Sequence, residues 1–348
     1  MELPRKILIG DNVITDLGWL IRCLDVKAKN VSIITGKTVK ARAATECIKS
    51  LESVGLTNRW SITTDASIRS VLKIQNDMGS EIPDVIVGLG GGRSVDVAKM
   101  TAFKLKRPFI SVPTSASHDG ISSPFVSIHG MDKPYSLKAN TPIGVLADTH
   151  LLSEAPLRLL ASGCGDLVAK ITAVKDWELA RDEKDEYFGS YAANLAYMSA
   201  QIILEHSKGI LQKLQHGIRT VVEALISSGV AACIAGSSRP CSGSEHLFSH
   251  ALEYLSGQYQ DCGLHGERVG LGTIMMAKLH CLDWEKIVET LENVGAPTKA
   301  KQLKISEEKI VQSLLIAQSL RPDRFTILGK IHLTKQSAFE LARSVSII

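Results

Sequence analysis

The stretch DVIVGLGGGRSVDVAK, residues 84–99, joins an apolar run rich in Val and Ile to a helical pattern through a group of glycines. The glycines lie at 88, 90, 91 and 92, and Ser94 and Asp96 follow in the first turn of the expected helix. Without Cβ atoms, backbone N–H groups can approach an anion, and the positive end of the helix favours a phosphate. This pattern predicts a strand, turn and helix that bind the pyrophosphate of a nucleotide.

The glycine turn differs from the turns of three alternative kinds. A Walker loop needs GxxxxGK followed by Ser or Thr, but the spacing from Gly88 to Gly92 is one residue short and Arg93 replaces the Lys. A standard dinucleotide fingerprint follows the first strand of its domain, whereas this turn follows a later one. A turn needed only for packing does not require three consecutive glycines. Nucleotide binding is therefore the favoured interpretation.

The segments around the turn alternate between two patterns. β-Branched runs typical of strands buried on both faces occupy residues 31–35, 84–90, 108–113 and 142–148. Residues 39–55 and 66–79 have helical apolar spacing and end at Gly. The alternation predicts an α/β dinucleotide-binding domain over residues 1–150, built on a mostly parallel sheet.

The remaining residues, 151–348, have a different pattern of apolar residues. Their long apolar segments repeat with a spacing near 3.6, and we find no convincing strand, internal repeat or low-complexity linker among them. A chain of 348 residues also exceeds what one hydrophobic core usually supports. We therefore predict a second, all-α domain that binds metal and substrate.

Composition excludes several classes of protein. The 40 basic and 36 acidic residues are scattered without a basic run, which argues against nucleic acid as a partner. The first residues, MELPRKILIG, do not have the pattern of a secretory signal, and no apolar stretch approaches a membrane span. Seven cysteines without a CxxC pair are typical of reduced thiols. We expect a cytoplasmic protein without a membrane span.

Candidate metal ligands lie in the helical half. His246 and His250 are spaced i and i+4, on one helix face, while His265 and Asp166 each lie beside glycines near a helix start. One Asp and two His leave a coordination position open, as in catalytic zinc sites or ferrous iron sites. Asp166 as a simple helix cap and the histidines as core or surface residues remain alternatives. A thiolate site is also open, because Cys164, Cys241 and Cys262 lie near these residues.

Six motifs, in this order, resemble those of the sn-glycerol-1-phosphate dehydrogenase family. They are GLGGGRSVDVAK, VPTSASHDGISSPFVS, GCGDLVAK, SSRPCSGSEHLFSHAL, LHGERVGLGTIMM and RPDRFTILG. The resemblance covers essentially the whole chain. Metal-dependent polyol dehydrogenases and dehydroquinate synthases share the glycine loop and the HGE-type segment, but the second and fourth motifs are much closer to the glycerophosphate enzymes.

The resemblance implies a dehydroquinate synthase-like fold with one divalent metal ion, usually zinc, per subunit in the cleft between the domains. The implied metal ligands are Asp166, His246 and His265. The implied substrate-binding and catalytic residues are Asp119, Asp166 and His250. The implied nicotinamide cofactor contacts are Gly90, Gly91, Gly92, Arg93, Ser94, Thr114, Ser115, Ser117 and Ser123.

The implied reaction is NADH- or NADPH-dependent reduction of dihydroxyacetone phosphate to sn-glycerol 1-phosphate, for archaeal-type membrane phospholipid synthesis. Gly36 and Lys37 follow residues 31–35, which the pattern predicts as the first strand. An acid at this place would favour NAD, whereas the cation tolerates the extra phosphate of NADP, so we expect use of both cofactors. Asp119, or a water relay with His250, is expected to deliver the proton. The candidates for binding the substrate phosphate are Lys170, Arg239, Arg321 and Arg324. We also expect a homo-oligomer. The alternatives are a glycerol or polyol dehydrogenase and a non-catalytic nucleotide-binding relative.

Overall fold

The structure, a computed structural model, describes residues 1–130, 136–212, 214–257 and 262–348. It divides into two compact units, Met1–Pro156 and Leu157–Ile348. The strands of unit 1 are β1 Lys6–Gly10, β2 Asn30–Thr35, β3 Thr57–Ile62, β4 Val85–Gly90, β5 Phe109–Pro113, β6 Phe125–Val126, β7 Leu137–Lys138 and β8 Gly144–Asp148. Six of them form a sheet in the order β1-β8-β5-β4-β2-β3, in which all neighbouring strands are parallel. β6 and β7 form a separate antiparallel pair.

Helices cover both faces of the unit 1 sheet. They are α1 Leu17–Cys23, α2 Lys37–Ser53, α3 Ile68–Met78, α4 Gly92–Leu105 and α5 Thr149–Ser153. The central strand β4 is buried along its whole length, and its side chains alternate between two cores. Val85, Val87 and Leu89 pack into the core that includes α1 and α2, whereas Ile86 packs into the core that includes α3 and α4. The predicted α/β architecture is confirmed.

Two strands of this sheet were not predicted. β1 and β3 lie at the two edges, and several of their side chains are exposed or only half-buried; the apolar run of β1 is only three residues, Ile7 to Ile9, and β3 has none. The expectation that residues 31–35 form the first strand was therefore wrong, since β1 precedes them and they form β2.

Unit 2 is helical, and its described residues contain no strand, as predicted. Its helices are α6 Leu157–Val168, α7 Lys170–Lys184, α8 Ser190–Ile210, α9 Leu214–Ala235, α10 Ser244–Ser256, α11 His265–Leu279, α12 Trp284–Asn293, α13 Glu307–Leu320, α14 Ile327–Ile331 and α15 Lys335–Ser344.

One helix of unit 2 meets a membrane-span criterion that no segment was expected to meet. Within α9, residues Gln215–Ala235 are long and apolar enough to cross a membrane, with a mean hydropathy of 1.6. In an 18-residue stretch of that segment, 61% of the residues are buried inside the protein, and α9 packs against α8 and α6. Core helices of soluble proteins meet the same length and hydropathy criterion, so this helix is weak support for a membrane span.

A buried carboxylate, Asp176 on α7, fixes the start of α10. Its Oδ2 accepts hydrogen bonds from the backbone N and the Oγ of Ser244, at 2.6 and 2.5 Å. Its Oδ1 accepts from the backbone N of Ile327 at 2.7 Å and lies 3.0 Å from His280 Nε2. Because Ser244 is the first residue of α10, these contacts position the helix that carries His246 and His250.

Candidate active site

Three side chains from three helices of unit 2 converge at one point. Asp166 lies near the end of α6, His246 in the first turn of α10, and His265 at the first position of α11. One potential ligand atom from each lies within 4.8 Å of the others. His246 Nε2 and His265 Nε2 are 3.3 and 3.9 Å from Asp166 Oδ1. The structure thus brings together the three residues that the resemblance implied as metal ligands.

Glycines on α6 and α11 allow this convergence. A Cβ on Gly165 would lie 2.3 Å from the carbonyl oxygen of Gly266, and a Cβ on Gly266 would lie 1.8 Å from the carbonyl oxygen of Ser162. The backbone N of Gly266 also donates to Ser162 Oγ at 3.1 Å. Since Asp166 and His265 are the neighbours of these glycines, the close backbone contact sets their separation.

A buried glutamate orients His246. Glu245 Oε1 lies 2.7 Å from His246 Nδ1, and the same carboxylate accepts hydrogen bonds from the backbone N of Gly243 and from Thr172 Oγ1, at 2.6 and 2.8 Å. When Nδ1 of His246 donates its proton to Glu245, Nε2 carries no proton and faces Asp166. Metal-binding histidines use this arrangement, in which the other ring nitrogen donates to a carboxylate. Sequence reasoning did not assign Glu245, although its place beside His246 was visible.

Charges around Asp166 keep it ionised. Burial alone would raise its pKa, but the Lys170 ammonium, 2.9 Å from Oδ1, and the hydrogen bond with His246 together hold the pKa well below its usual range. Burial likewise opposes protonation of His246, but its contacts with Asp166 and Glu245 raise its pKa. An ionised carboxylate with two imidazoles is a donor set that suits zinc or ferrous iron.

His250 follows His246 by one helical turn, and both are buried, each with 6% of its surface exposed. Its ring centroid lies 6.3 Å from that of His265. Burial, followed by the positive charges of His246, Arg268, Arg321 and Arg324, lowers the pKa of His250 to about 3. His250 is therefore a neutral imidazole in a strongly positive environment.

The four predicted phosphate-binding cations differ in their partners. Lys170 is fully buried and contacts Asp166, while Arg239 forms a two-pronged ion pair with Glu186. Arg324 donates to Ser238 Oγ at 2.8 Å and to the carbonyl oxygen of Ser242. The positive charges of Arg321 and Arg324 are among the main causes of the lowered pKa of His250, whereas Lys170 and Arg239 are each engaged by a carboxylate. These contacts favour Arg321 and Arg324 over Lys170 and Arg239.

The thiolate alternative receives no support from the described residues. None of the seven cysteines forms a disulfide, and five are buried. No cysteine belongs to the cluster of potential ligands that the described part of the chain contains. Burial raises the pKa of Cys164 to about 12, which disfavours a thiolate there.

In unit 1, the predicted glycine turn joins β4 to α4. Gly90 has a φ of 151°, a conformation that L side chains rarely adopt, and a Cβ there would lie 2.8 Å from Ser94 Oγ. Gly91 is the N-cap of α4, so the turn leads directly into the helix N-terminus. Arg93 Nη1 donates to the carbonyl oxygen of Thr64 at 3.2 Å. The predicted cofactor residues 90–94 thus form one turn at the carboxyl end of a buried strand.

The next loop follows β5, the neighbour of β4 in the sheet. The backbone N of Thr114 donates to the carbonyl oxygen of Gly90 at 3.0 Å, and Ser115 Oγ lies 3.5 Å from Ser117 Oγ. Asp119 begins a short 3₁₀ helix, and its carbonyl oxygen accepts from the backbone N of Ser123 at 3.1 Å. The structure therefore brings the predicted residues of unit 1 together at the carboxyl ends of two adjacent strands, where open α/β sheets bind ligands.

Lys99 organises this second loop, although sequence reasoning did not identify it. It is fully buried, and its Nζ donates to the carbonyl oxygens of Gly120, Ser123 and Phe125 at 2.6, 2.7 and 2.8 Å. The visible signal was a lysine in the middle of α4, between Ala98 and Met100, because a lysine among apolar residues is rarely buried without several acceptors.

Comparisons with known proteins agree with this architecture. Residues 8–156 match the family described as iron-containing alcohol dehydrogenase. The whole chain is 50% identical to glycerol-1-phosphate dehydrogenase (NAD(P)+) of Nitrosopumilus maritimus strain SCM1, of which 97% is covered. It is 45% identical, again over its full length, to the protein of the same name from Methanosarcina acetivorans, of which 96% is covered.

Solved structures show the same fold at low identity. The glycerol dehydrogenase from Schizosaccharomyces pombe has a TM-score of 0.81 and 19% identity, with 99% of this chain and 90% of that chain covered. A probable glycerol dehydrogenase from Sinorhizobium meliloti 1021 has a TM-score of 0.80 and 19% identity, with 99% and 97% covered.

The match of residues 8–156 and the shared fold define a class: unit 1 is similar to the iron-containing alcohol dehydrogenases, and the full-length relatives show that the chain is an oxidoreductase. The full-length identities of 50% and 45% narrow the assignment further. The chain belongs to the glycerol-1-phosphate dehydrogenase (NAD(P)+) family.

Proposed function

We propose that this protein uses NADH or NADPH to reduce dihydroxyacetone phosphate to sn-glycerol 1-phosphate. The observation that carries the proposal is the convergence of Asp166, His246 and His265 in a chain that is 50% identical, over its full length, to a protein named for this activity. Unit 1 is the proposed dinucleotide-binding domain and unit 2 the proposed metal- and substrate-binding domain.

Asp166, His246 and His265 are the proposed ligands of one divalent metal ion per subunit, and zinc is the proposed ion. The donor set fits, because an ionised carboxylate and two imidazole Nε2 atoms lie within mutual reach, and Glu245 orients one of the imidazoles. Such an ion supplies Lewis-acid chemistry that polarises a substrate carbonyl. Lys170 keeps Asp166 in its ionised, ligand-competent form.

The proposed cofactor residues are those at the carboxyl ends of β4 and β5. The turn of Gly90, Gly91 and Gly92, followed by Arg93 and Ser94 at the start of α4, suits a pyrophosphate. Thr114, Ser115, Ser117 and Ser123 offer hydroxyl groups for the ribose and nicotinamide. Lys37 begins α2, directly after β2, and its positive charge suits the extra phosphate of NADP. The bound cofactor supplies the hydride.

Asp119 and His250 are the proposed substrate-binding and catalytic residues. His250 is neutral, so its imidazole can donate a hydrogen bond to a substrate oxygen without bringing in a charge. The guanidinium groups of Arg321 and Arg324, which lower the pKa of His250, are suited to bind the substrate phosphate. The proton for the product hydroxyl comes, in this proposal, from Asp119 or from water held by His250.

The proposed product is a glycerophosphate of archaeal-type membrane phospholipids, and the proposed setting is the cytoplasm, with the enzyme as a homo-oligomer. The support for these three statements is the family to which the chain belongs.

The test of the activity compares two ketones. Purified protein loaded with zinc is expected to oxidise NADH and NADPH with dihydroxyacetone phosphate, and the product is expected to have the sn-1 configuration. Unphosphorylated dihydroxyacetone should be a much poorer substrate, because the charge that suits Arg321 and Arg324 is absent. Equal or faster turnover of the unphosphorylated ketone would favour the glycerol dehydrogenase alternative. NADH binding without turnover of either ketone would favour the non-catalytic alternative.

The test of the metal ligands is His265→Ala, with His206→Ala, an exposed residue of α8, as control. We expect His265→Ala to lose stoichiometric zinc and about 10³-fold or more of the turnover, while its Kd for NADH changes by less than about threefold. His206→Ala should match the wild type in zinc content and turnover. Full zinc content and turnover in His265→Ala would contradict the assignment.

A further inference from the structure

The imidazole ring of His118 lies between the glycine turn after β4 and its own loop after β5, the two segments that hold the proposed cofactor residues and Asp119. It is the residue before Asp119, at the N-cap of the 3₁₀ helix Asp119–Ile121. Its Nδ1 accepts a hydrogen bond from the backbone N of Gly120 at 2.9 Å. With Nδ1 as the acceptor, the neutral ring carries its proton on Nε2.

Glycine occupies the two positions, 92 and 120, at which a Cβ atom would overlap the imidazole ring of His118. A Cβ on Gly92, the first residue of α4, would lie 2.0 Å from His118 Nε2. A Cβ on Gly120 would lie 2.3 Å from Cε1 and 2.5 Å from Nδ1 of the same ring. Neither glycine has a φ in the left-handed region, so backbone conformation does not explain the absence of a side chain at either position. The ring occupies the space that two Cβ atoms would need.

The loop after β5 is thereby held on two sides. Lys99 binds the carbonyl oxygen of Gly120 from α4, and His118 binds the N–H of the same residue. The ring also contacts the glycine turn at Gly92. Both backbone polar groups of Gly120 are therefore fixed, and Gly120 directly follows Asp119.

We propose that His118 is a positioning residue that packs against the glycine turn at Gly92 and fixes the Asp119 turn to it. The inference rests on the proposed function for the roles of the two loops. Glycine is therefore needed at position 92 for two reasons: it leaves room for the ring of His118, and it lets a phosphate approach the backbone. His118 acts indirectly, because it fixes Gly120 and with it the neighbouring Asp119. Hydride transfer is sensitive to the alignment of the bound groups, so the position of Asp119 affects the rate.

The steric part of the proposal is tested by thermal unfolding, which needs no ligand. Gly92→Ala is expected to lower the Tm by about 3 °C or more in the wild-type background, since overpacking of a filled site is destabilising. In the His118→Ala background the same substitution should lower the Tm far less, because the ring is gone. Gly209→Ala, in α8 with nothing within 4 Å of its Cβ position, is the control and should not lower the Tm. Equal decreases in both backgrounds, or no decrease in either, would overturn the proposal.

The positioning part is tested with two amides. His118→Asn puts an amide oxygen near the place of Nδ1, where it can accept from the Gly120 N–H, whereas His118→Gln reaches towards the place of Nε2. Hydrogen exchange of the Gly120 amide should stay slow in His118→Asn and become about tenfold or more faster in His118→Gln and His118→Ala.

Kinetics supply the second arm of that comparison. We expect kcat/KM for dihydroxyacetone phosphate to fall about tenfold or more in His118→Gln and His118→Ala, and to stay within about threefold in His118→Asn, with the Kd for NADH little changed in all three. Equal exchange rates or equal kinetics in the Asn and Gln variants would refute the positioning role. If the wild type does not turn over the ketone, the proposed function fails, while unfolding and hydrogen exchange still decide the role of His118.

Discussion

At the scale of single residues, the contact between Glu245 and His246 sets the orientation of a candidate metal ligand, the His246 ring. Glu245 is completely buried, and its two oxygens are shared among His246, Gly243 and Thr172. Burial opposes its charge, but the hydrogen bonds with His246, Gly243 and Thr172 lower its pKa below the ordinary value. An ionised Glu245 therefore holds the Nδ1 proton of His246 and leaves Nε2 available to a metal.

We predict that Glu245→Gln weakens zinc binding about 10–100-fold without removing the site. The amide has the same shape but no charge, and one of its two atoms can no longer accept a hydrogen bond. Zinc affinity measured by competition with a chelator checks this prediction. Glu223→Gln, an exposed glutamate of α9 that pairs with Arg219, is the matched control and should bind zinc as the wild type does. An unchanged zinc affinity in Glu245→Gln would mean that His246 keeps its orientation without this carboxylate.

How far the sequence predicted the site depends on whether a residue is visible from its own motif. Asp166, His246 and His265 are chemistry-bearing side chains in glycine-rich or helical contexts, and the motifs predicted that they belong together. Lys170 was predicted as a phosphate-binding candidate because it is a cation beside the Asp166 motif, although its i,i+4 spacing also allows the observed contact with that carboxylate. Lys99 was missed because its three acceptors lie more than 20 residues away.

At the scale of elements, a reciprocal pair of contacts ties the start of β4 to the start of β2. Asp84 Oδ2 accepts from the backbone N of Lys29 and of Asn30, at 2.8 and 3.0 Å. Asn30 Oδ1 accepts in return from the backbone N of Asp84 at 2.6 Å. The hydrogen bonds from Lys29 and Asn30 lower the pKa of the Asp84 carboxyl, because they stabilise its charged form.

Asp84→Asn is expected to lower the free energy of unfolding at pH 7 by about 1 kcal/mol or less, because the carboxylate is partly exposed. The pKa of Asp84 is lower in the folded state than in the unfolded state, so its stabilising effect is complete above the unfolded pKa, about 3.9, and is lost as pH falls through the folded pKa. Urea unfolding from pH 7 to pH 3 should show the difference from wild type shrinking below about pH 4. Asp16→Asn, an exposed residue whose side chain makes no capping hydrogen bond, is the control. A difference that does not change with pH would show that the charge of Asp84 does not contribute.

The elements that could be predicted are those whose pattern is produced by burial on both faces. β2, β4, β5 and β8 lie inside the sheet and have the continuous apolar runs expected there. β1 and β3 lie at its edges, where half of the side chains do not need to be apolar; TNRWSI therefore does not differ clearly from a loop, and KILIG has an apolar run of only three residues. The order of the strands depends on crossover connections and has no local signal at all.

At the scale of the whole molecule, the candidate metal site links three helices of unit 2 that are far apart in sequence. α6, α10 and α11 each contribute one candidate ligand, and among the described residues these potential ligand atoms lie within 4.8 Å of one another. A ligand that binds only the folded state stabilises it by RT ln(1 + [L]/Kd), which is about 2.7 kcal/mol at 100 times the Kd. Metal binding should therefore be visible as stability of the whole helical unit.

We predict that zinc at about 100 times its Kd raises the Tm of the metal-depleted protein by about 5–10 °C. A chelator should reverse this increase, since the stabilisation is a mass-action effect that depends on free metal. His265→Ala removes one of three ligands and should show no zinc-dependent increase, whereas His206→Ala should respond as the wild type does. Differential scanning calorimetry with and without zinc makes the comparison. A zinc-dependent increase of equal size in His265→Ala would mean that the ion binds elsewhere, and the assignment of Asp166, His246 and His265 would fail with it.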